Sequence, residues 1–210
     1  MAKSLTIHNL LKKNYQLFDF EGKWFEAFGK PERRGVWIIW GPSGNGKTSF
    51  VVQLIKELSQ FARVDFISLE EGTSKTLQDK FVEAGFHENH RNVRIIEESS
   101  MREIEEEMSK RRSAEVVIID SFQYTQMNYR EYLEFKNRHQ DKTIIFVSHA
   151  EGSKPAGRAA VSVMFDAMMK IFVEGYRAIT KGRFIGPVGY YTIWEEGADR
   201  YWLKGDHKSS

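Results

Sequence analysis

Short apolar blocks alternate along this chain with longer stretches of helical spacing. Residues 36–40 (Val-Trp-Ile-Ile-Trp), 64–69, 93–96, 116–119 and 143–147 are blocks rich in β-branched and aromatic side chains. Such blocks predict the strands of a sheet, the last of them buried. Between them the period changes to 3.6. Residues 49–61 put Phe50, Leu54 and Leu58 on one face, with Val51 and Ile55 beside them. Residues 73–84 bring Leu77 and Phe81 into register and stop at Gly85, residues 100–110 open with Ser100 and Glu103 at capping-box spacing, and residues 129–138 form a further helix. Strands alternating with helices predict an α/β fold, a mainly parallel sheet flanked by helices with right-handed crossovers.

The two ends depart from this rhythm. Residues 4–15 predict a short amphipathic helix with Ile7, Leu10 and Leu11 on one stripe, packed on the chain's own core or serving as an oligomerisation arm. Trp24, Phe25 and Phe28 are expected to cover the first strand. In the C-terminal third, residues 168–173, 177–180, 190–194 and 201–203 read as strands, with turns at Glu174-Gly175 and at residues 195–198. This predicts antiparallel hairpins extending the sheet. No repeat or linker interrupts the chain. The expectation is a single domain over residues 1–210, with an N-terminal helix and cover (1–30), a core (31–175) and C-terminal hairpins (176–210).

The chemistry is concentrated after the first strand. Gly41-Pro42-Ser43-Gly44-Asn45-Gly46-Lys47-Thr48 fills every fixed position of the phosphate-binding loop G-x-x-x-x-G-K-[ST], and Ser49 follows it into a helix. Glycines let successive backbone N–H groups turn toward phosphate oxygens, and the helix N-terminus adds partial positive charge. Lys47 reaches β- and γ-phosphates, and the Thr48 hydroxyl ligates Mg²⁺. ATP and Mg²⁺ are therefore the expected ligands. Ligands of an open parallel sheet bind beyond the carboxyl ends of its strands, and three other predicted strands end in polar residues. Asp120 is placed to hold Mg²⁺. Glu70 is placed to orient or deprotonate the attacking water, with Glu71 as an adjacent competitor. His149, after Ser148, is placed to donate a hydrogen bond to a phosphate oxygen.

Composition narrows the setting. Two hundred and ten residues suffice for one α/β domain. No apolar run approaches the roughly 20 residues that span a bilayer, and Met1-Ala2-Lys3-Ser4 carries no signal-peptide core. The chain contains no cysteine, which excludes disulfides, thiolate zinc sites and cysteine nucleophiles and fits a reducing compartment. A cytoplasmic protein without membrane contact is the expectation. A net charge of +2 permits nucleic-acid binding without arguing for it.

Together these motifs resemble the RecA-like P-loop ATPases, in particular the DnaB-type helicases and the bacterial RadA branch. The resemblance covers roughly residues 20–195 and rests on the loop at 41–48, Phe66-Ile67-Ser68-Leu69-Glu70-Glu71, Val117-Ile118-Ile119-Asp120-Ser121-Phe122-Gln123, and Ser148-His149. It continues through Gly157-Arg158, Phe165-Asp166-Ala167 and Lys181-Gly182-Arg183-Phe184-Ile185-Gly186, the last similar to the K-x-R-x-G and K-N-R-F-G elements of those families. His149 stands where many DnaB-type helicases carry Gln. The likeness is to the ATPase core alone, as in small phage recombination proteins.

The resemblance implies a nucleotide held between subunits of a ring or filament. Lys181 and Arg183 would then reach the neighbour's γ-phosphate. It also implies two pore-facing loops, near residues 123–128 and 152–160, that hold single-stranded DNA. Lys154, Arg158 and Tyr124 are the candidate contacts, with Tyr129 a further ring that could stack. The function implied is ATP hydrolysis by an oligomer acting on single-stranded DNA in recombination, repair or replication. The alternatives are an ATP-driven regulator or loader whose partner is a protein, and a nucleotide-dependent scaffold with little turnover.

Overall fold

The computed structural model describes residues 4–70, 72–97 and 100–205. Its strands are β1 (Gly35–Gly41), β2 (Val64–Ser68), β3 (Val93–Glu97), β4 (Val116–Asp120), β5 (Thr143–Glu151), β6 (Lys154–Pro155), β7 (Met169–Glu174), β8 (Arg177–Thr180) and β9 (Tyr190–Thr192). Its helices are α1 (Ile7–Leu11), α2 (Gly22–Phe28), α3 (Lys47–Leu58), α4 (Lys75–Glu83), α5 (Met101–Met108), α6 (Tyr129–Arg138), α7 (Arg158–Asp166) and α8 (Glu195–Gly205). The sheet runs β3-β2-β4-β5-β1-β7-β8-β9. The first six of these strands are parallel, and β7, β8 and β9 pair antiparallel as the hairpin reading expected.

Strand period 2 sorts the apolar blocks into two cores. Trp37, Ile39, Phe66, Ile118 and Ile145 face α3, which buries Phe50, Val51, Leu54, Ile55 and Leu58. Val36, Ile38, Ile119 and Phe146 face the opposite way, onto Ile104 of α5, Tyr132 and Phe135 of α6 and Val163 of α7. Each fully buried aliphatic or aromatic side chain contributes about 1.5–3 kcal/mol, so these two layers fix the strand ends that carry the polar residues. The helix starts are set locally. Ser100 and Glu103 form the expected capping box, and Asn128 with Glu131 forms a second one at the start of α6.

Three local expectations are corrected. First, the N-terminal helix is limited to Ile7–Leu11 and buries none of its residues. The core edge it was expected to cover is filled by Phe18 and Phe20, whose rings meet Trp37 and Phe61. Second, residues 201–203 are helical and belong to α8. The glycine that reads as a turn signal, Gly197, is there because a Cβ would lie 2.2 Å from the Trp194 ring. Third, α7 occupies residues 158–166, so the last residues of the stretch 152–160, read as a loop, are helical.

Candidate nucleotide site

The site forms where β1, β2, β4 and β5 end together. Register places Gly41 beside His149 and Ser68 beside Asp120, so the phosphate-binding loop, the residues after β2 and the tips of β4 and β5 share one rim. Only glycine lets β1 continue into the loop, because a Cβ at Gly41 would lie 2.2 Å from the Val173 carbonyl oxygen. Gly44 and Gly46 take positive φ values of 75° and 92°, and α3 begins at Lys47 directly after Gly46. That backbone course turns the loop amides toward the cleft.

Asn45 is the strut of the loop. Its Nδ2 donates to the Ser43 carbonyl (3.0 Å), and its Oδ1 accepts from the backbone N–H of Gly175 in the β7–β8 turn (2.8 Å). The Tyr176 N–H donates to the Asn45 carbonyl (3.2 Å). The turn therefore holds the loop from behind, and the Tyr176 ring stands against Gly46.

The cleft is about 320 Å³ and is lined by Ser43, Gly44, Gly46, Lys47, Thr48 and Ser49 on the loop side and by Glu70, Asp120 and His149 opposite. Thr76 and Lys80 of α4 and Tyr176 complete it. Glu70 and His149, read separately in the sequence, are in contact: Glu70 Oε2 lies 3.1 Å from His149 Nε2, and Ser121 Oγ lies 3.4 Å from the same nitrogen. Behind them, the Gln123 amide nitrogen donates to Ser148 Oγ (2.8 Å) and to the Ala156 carbonyl (3.0 Å), while its oxygen accepts from the His149 N–H (3.4 Å). Glu71 lies outside the described residues.

A family model for an AAA domain matches residues 30–153, more than half of the chain, and spans this loop and the three opposing strand ends. The chain belongs to the AAA domain family. It is a P-loop ATPase, and the RecA-like fold read from its motifs is the one its structure shares with known proteins. The flagellar accessory protein FlaH from Methanocaldococcus jannaschii aligns at TM-score 0.55 and 15% identity, over 85% of this chain and 92% of that one. A KaiC-like protein, PH0186 from Pyrococcus horikoshii OT3, aligns at 0.59 and 20%, over 80% and 94%. A third solved structure, an ATPase domain, aligns at 0.51 and 18%, over 75% and 80%. No curated protein matches the chain in sequence.

The chain carries its remaining candidates away from the cleft, most of them beyond the residues matched by the AAA domain model. Lys181 N–H bonds to the Lys170 carbonyl and Arg183 N–H to the Met168 carbonyl, at the entry end of β7. Gly182 lies flat on that strand, Gly186 lies flat on the backbone of α2, and Phe184 packs on the core. Lys181 and Arg183 are left exposed between these anchors. Lys154 and Arg158 are exposed beyond the tip of β5, and Tyr124 is 53% exposed in a short 3₁₀ turn at residues 122–125. Thr76, Lys80 and Tyr176 were not legible in the sequence, since they reach the site from helix and turn positions that no motif marks; Gln123 closes a motif, but its bridge to β5 and Ala156 was not legible. Among the described residues no helix is long and apolar enough to cross a membrane.

Proposed function

We propose that the protein is an oligomeric, Mg²⁺-dependent ATPase that acts on single-stranded DNA in recombination, repair or replication. The observation that carries the reading is the Gln123 side chain. It bonds to Ser148 and His149 of β5 and to Ala156, so one side chain ties the Glu70–His149 pair to the segments 123–128 and 152–160. Occupancy of those segments and the state of the γ-phosphate would then bias the same hydrogen bonds.

The residues fit the nucleotide. The open space around Gly44 and the positive φ of Gly46 form a cradle of backbone amides, and Lys47 supplies a point charge to the β- and γ-phosphates. The Thr48 hydroxyl and the Asp120 carboxylate would hold Mg²⁺. When bound, the ion would stabilise the negative charge that builds on the phosphates during transfer. Among the described residues no three His, Asp or Glu side chains converge on one metal position, which suits an ion resting largely on substrate phosphates and water. Glu70 accepts a proton from the attacking water or orients it, and His149 Nε2 turns from Glu70 to a phosphate oxygen.

Arg183 cannot serve its own cleft. It bonds at the level of Met168, which bonds to Val36, five residues below Gly41. At about 3.3 Å per residue that is about 17 Å, beyond the reach of a side chain. Lys181 and Arg183 would act on a neighbour's γ-phosphate, so that hydrolysis requires assembly into a ring or filament.

The test is the ATPase rate with and without single-stranded DNA, with solution mass measured in parallel. Stimulation by DNA that Lys154→Ala with Arg158→Ala removes supports the reading. A protein-partner reading is favoured by one observation, that the segment 152–160 exposes only these two cations, and it prevails if no DNA affinity is found at low salt with ATP.

A further inference from the structure

The end of the sheet opposite the cleft carries a row of arginines. Five consecutive strands, β3-β2-β4-β5-β1, run parallel and are entered from this end. Each is preceded by a cation: Arg91 before β3, Arg63 before β2, Arg111 and Arg112 before β4, Lys142 before β5, and Arg34 before β1. The helices end here too, and carbonyls of the segments that follow α4 and α5 occupy part of this charge. Arg63 donates to the carbonyls of Arg112 and Ser113, Lys142 to Ala114, and Lys56 to Ala84 and Gly85. The nearby carboxylates of Asp65 and Glu115 are paired with Arg94 and Arg33. Four exposed arginines remain. The side chains of Arg34, Arg91, Arg111 and Arg112 make no hydrogen bond or ion pair among the described residues. Carboxylates also stand at this end: Asp141 beside Lys142, the exposed Glu88 three residues before Arg91, and Glu32, which shares a cavity wall with Arg34.

The row borders a groove. A cavity of about 110 Å³ is walled by Arg63, Arg91, Arg94 and Arg112, and it shares Arg91 and Asn92 with a second cavity of about 470 Å³ reached by Lys56 and His90. Arg63 and Arg94 are already engaged there, by the carbonyls of Arg112 and Ser113 and by the Asp65 carboxylate that also lines the cavity, which leaves the Arg91 and Arg112 guanidinium groups to engage phosphate oxygens bidentately. Four strand spacings of about 4.8 Å extend the row over about 19 Å, longer than one phosphate group and suited to a polymer of them. The groove walls carry Asn, Gln and Ser, and the one ring there, His90, is packed against Phe86 and His87, so contact would be mainly to the backbone and indifferent to sequence.

We infer that this end of the sheet binds the phosphodiester backbone of a nucleic acid, at a surface separate from the segments beside the ATP cleft. The inference rests on the DNA reading above and adds a second, cleft-distal contact. It is tested by anisotropy of a labelled oligothymidylate across a salt series, using full-length protein with ATP. Arg91→Glu with Arg112→Glu is expected to weaken low-salt binding at least about ten-fold and to flatten the slope of log K against log salt by about 1.4, at about 0.7 per lost phosphate contact. Its unfolding midpoint and DNA-free ATPase rate should match the unmutated protein, since neither side chain has a partner to lose. Lys154→Ala with Arg158→Ala is the second arm. If that pair abolishes binding while the arginine pair leaves affinity and slope unchanged, the present inference is overturned and the DNA reading stands. If the arginine pair alone weakens binding, the inference stands and the loop contacts fall. No oligonucleotide binding at all overturns both. Capture of inorganic phosphate at these arginines without the oligonucleotide overturns the polymer assignment.

Discussion

Asn45 offers a direct way to ask whether the phosphate-binding loop is held from behind by the β7–β8 turn. Asn45→Ala removes the acceptor for the Gly175 N–H, at 2.8 Å, and the donor to the Ser43 carbonyl, at 3.0 Å. Gly175 is buried and packed under the Tyr201 ring, so water does not replace the lost acceptor. An unpaired buried N–H costs about 1–3 kcal/mol, whereas the exposed Ser43 carbonyl returns to water at about 0.5 kcal/mol. The expected loss is about 2 kcal/mol. With a urea m-value of about 3 kcal/mol/M for a chain of this size, the unfolding midpoint should fall by about 0.7 M. Asn45→Asp separates the strut from the ligand contact. It keeps the acceptor for Gly175, so its midpoint should stay near that of the unmutated protein. It also adds a negative charge to the loop, so ATP affinity should fall on the order of ten-fold or more. An unchanged midpoint for Asn45→Ala, or equal destabilisation of the two variants, would refute the strut.

Three further outcomes follow from the same geometry. Glu70→Gln should bind ATP and lose turnover on the order of 10²-fold or more; a single-turnover assay showing full activity would remove Glu70 from the chemistry. Arg183→Ala should bind ATP without hydrolysing it, and mixing it with Lys47→Ala, which is itself expected to lose ATP affinity, should restore part of the activity; absence of rescue in mixtures shown to co-assemble would rule out a site built from two chains. Burial raises the Asp166 carboxyl, but hydrogen bonds from Lys136 and Tyr132 outweigh it and hold the group below the usual carboxylate range. A lowered folded value means the stabilisation is present above the unfolded carboxylate's pKa of about 3.9 and is lost as pH falls through the folded value. Asp166→Asn should therefore flatten the acid limb of a stability–pH curve, and unchanged curvature below about pH 4 would contradict the assignment.

The parallel core was legible because its signals are local. Each of the blocks at 36–40, 64–69, 116–119 and 143–147 is bounded by helical spacing, and each became a buried strand within two residues of its expected bounds, apart from the continuation of β5 to Glu151. The phosphate-binding loop was legible for the same reason. What escaped depends on neighbours distant in sequence. Gly197 looks like a turn until the Trp194 ring is placed beside it. Ile7, Leu10 and Leu11 have helical spacing, but spacing does not report that Phe18 and Phe20 already occupy the core edge. In the site, the contact of Glu70 with His149 joins positions 79 residues apart, and only the register of β2, β4 and β5 brings them together.

The segment 181–186 shows how a short motif can separate structural from chemical residues. Gly182 and Gly186 are required because a Cβ at either would lie within 3 Å of backbone atoms of β7 or α2, and Phe184 is required as an apolar anchor. None of these reasons applies to Lys181 or Arg183, which are exposed; beyond backbone bonds to β7, Arg183 adds its positive charge near the Asp166 carboxylate. Packing thus accounts for every residue that fixes the path of this segment, whereas Lys181 has no such role and Arg183 contributes only charge near Asp166. They lie at the entry end of the sheet, while the chain's own phosphate-binding loop lies at the exit end. A strand length of separation within one chain becomes proximity when a second chain is docked with its cleft against this edge, which is why the cations argue for assembly more directly than any apolar surface of the molecule.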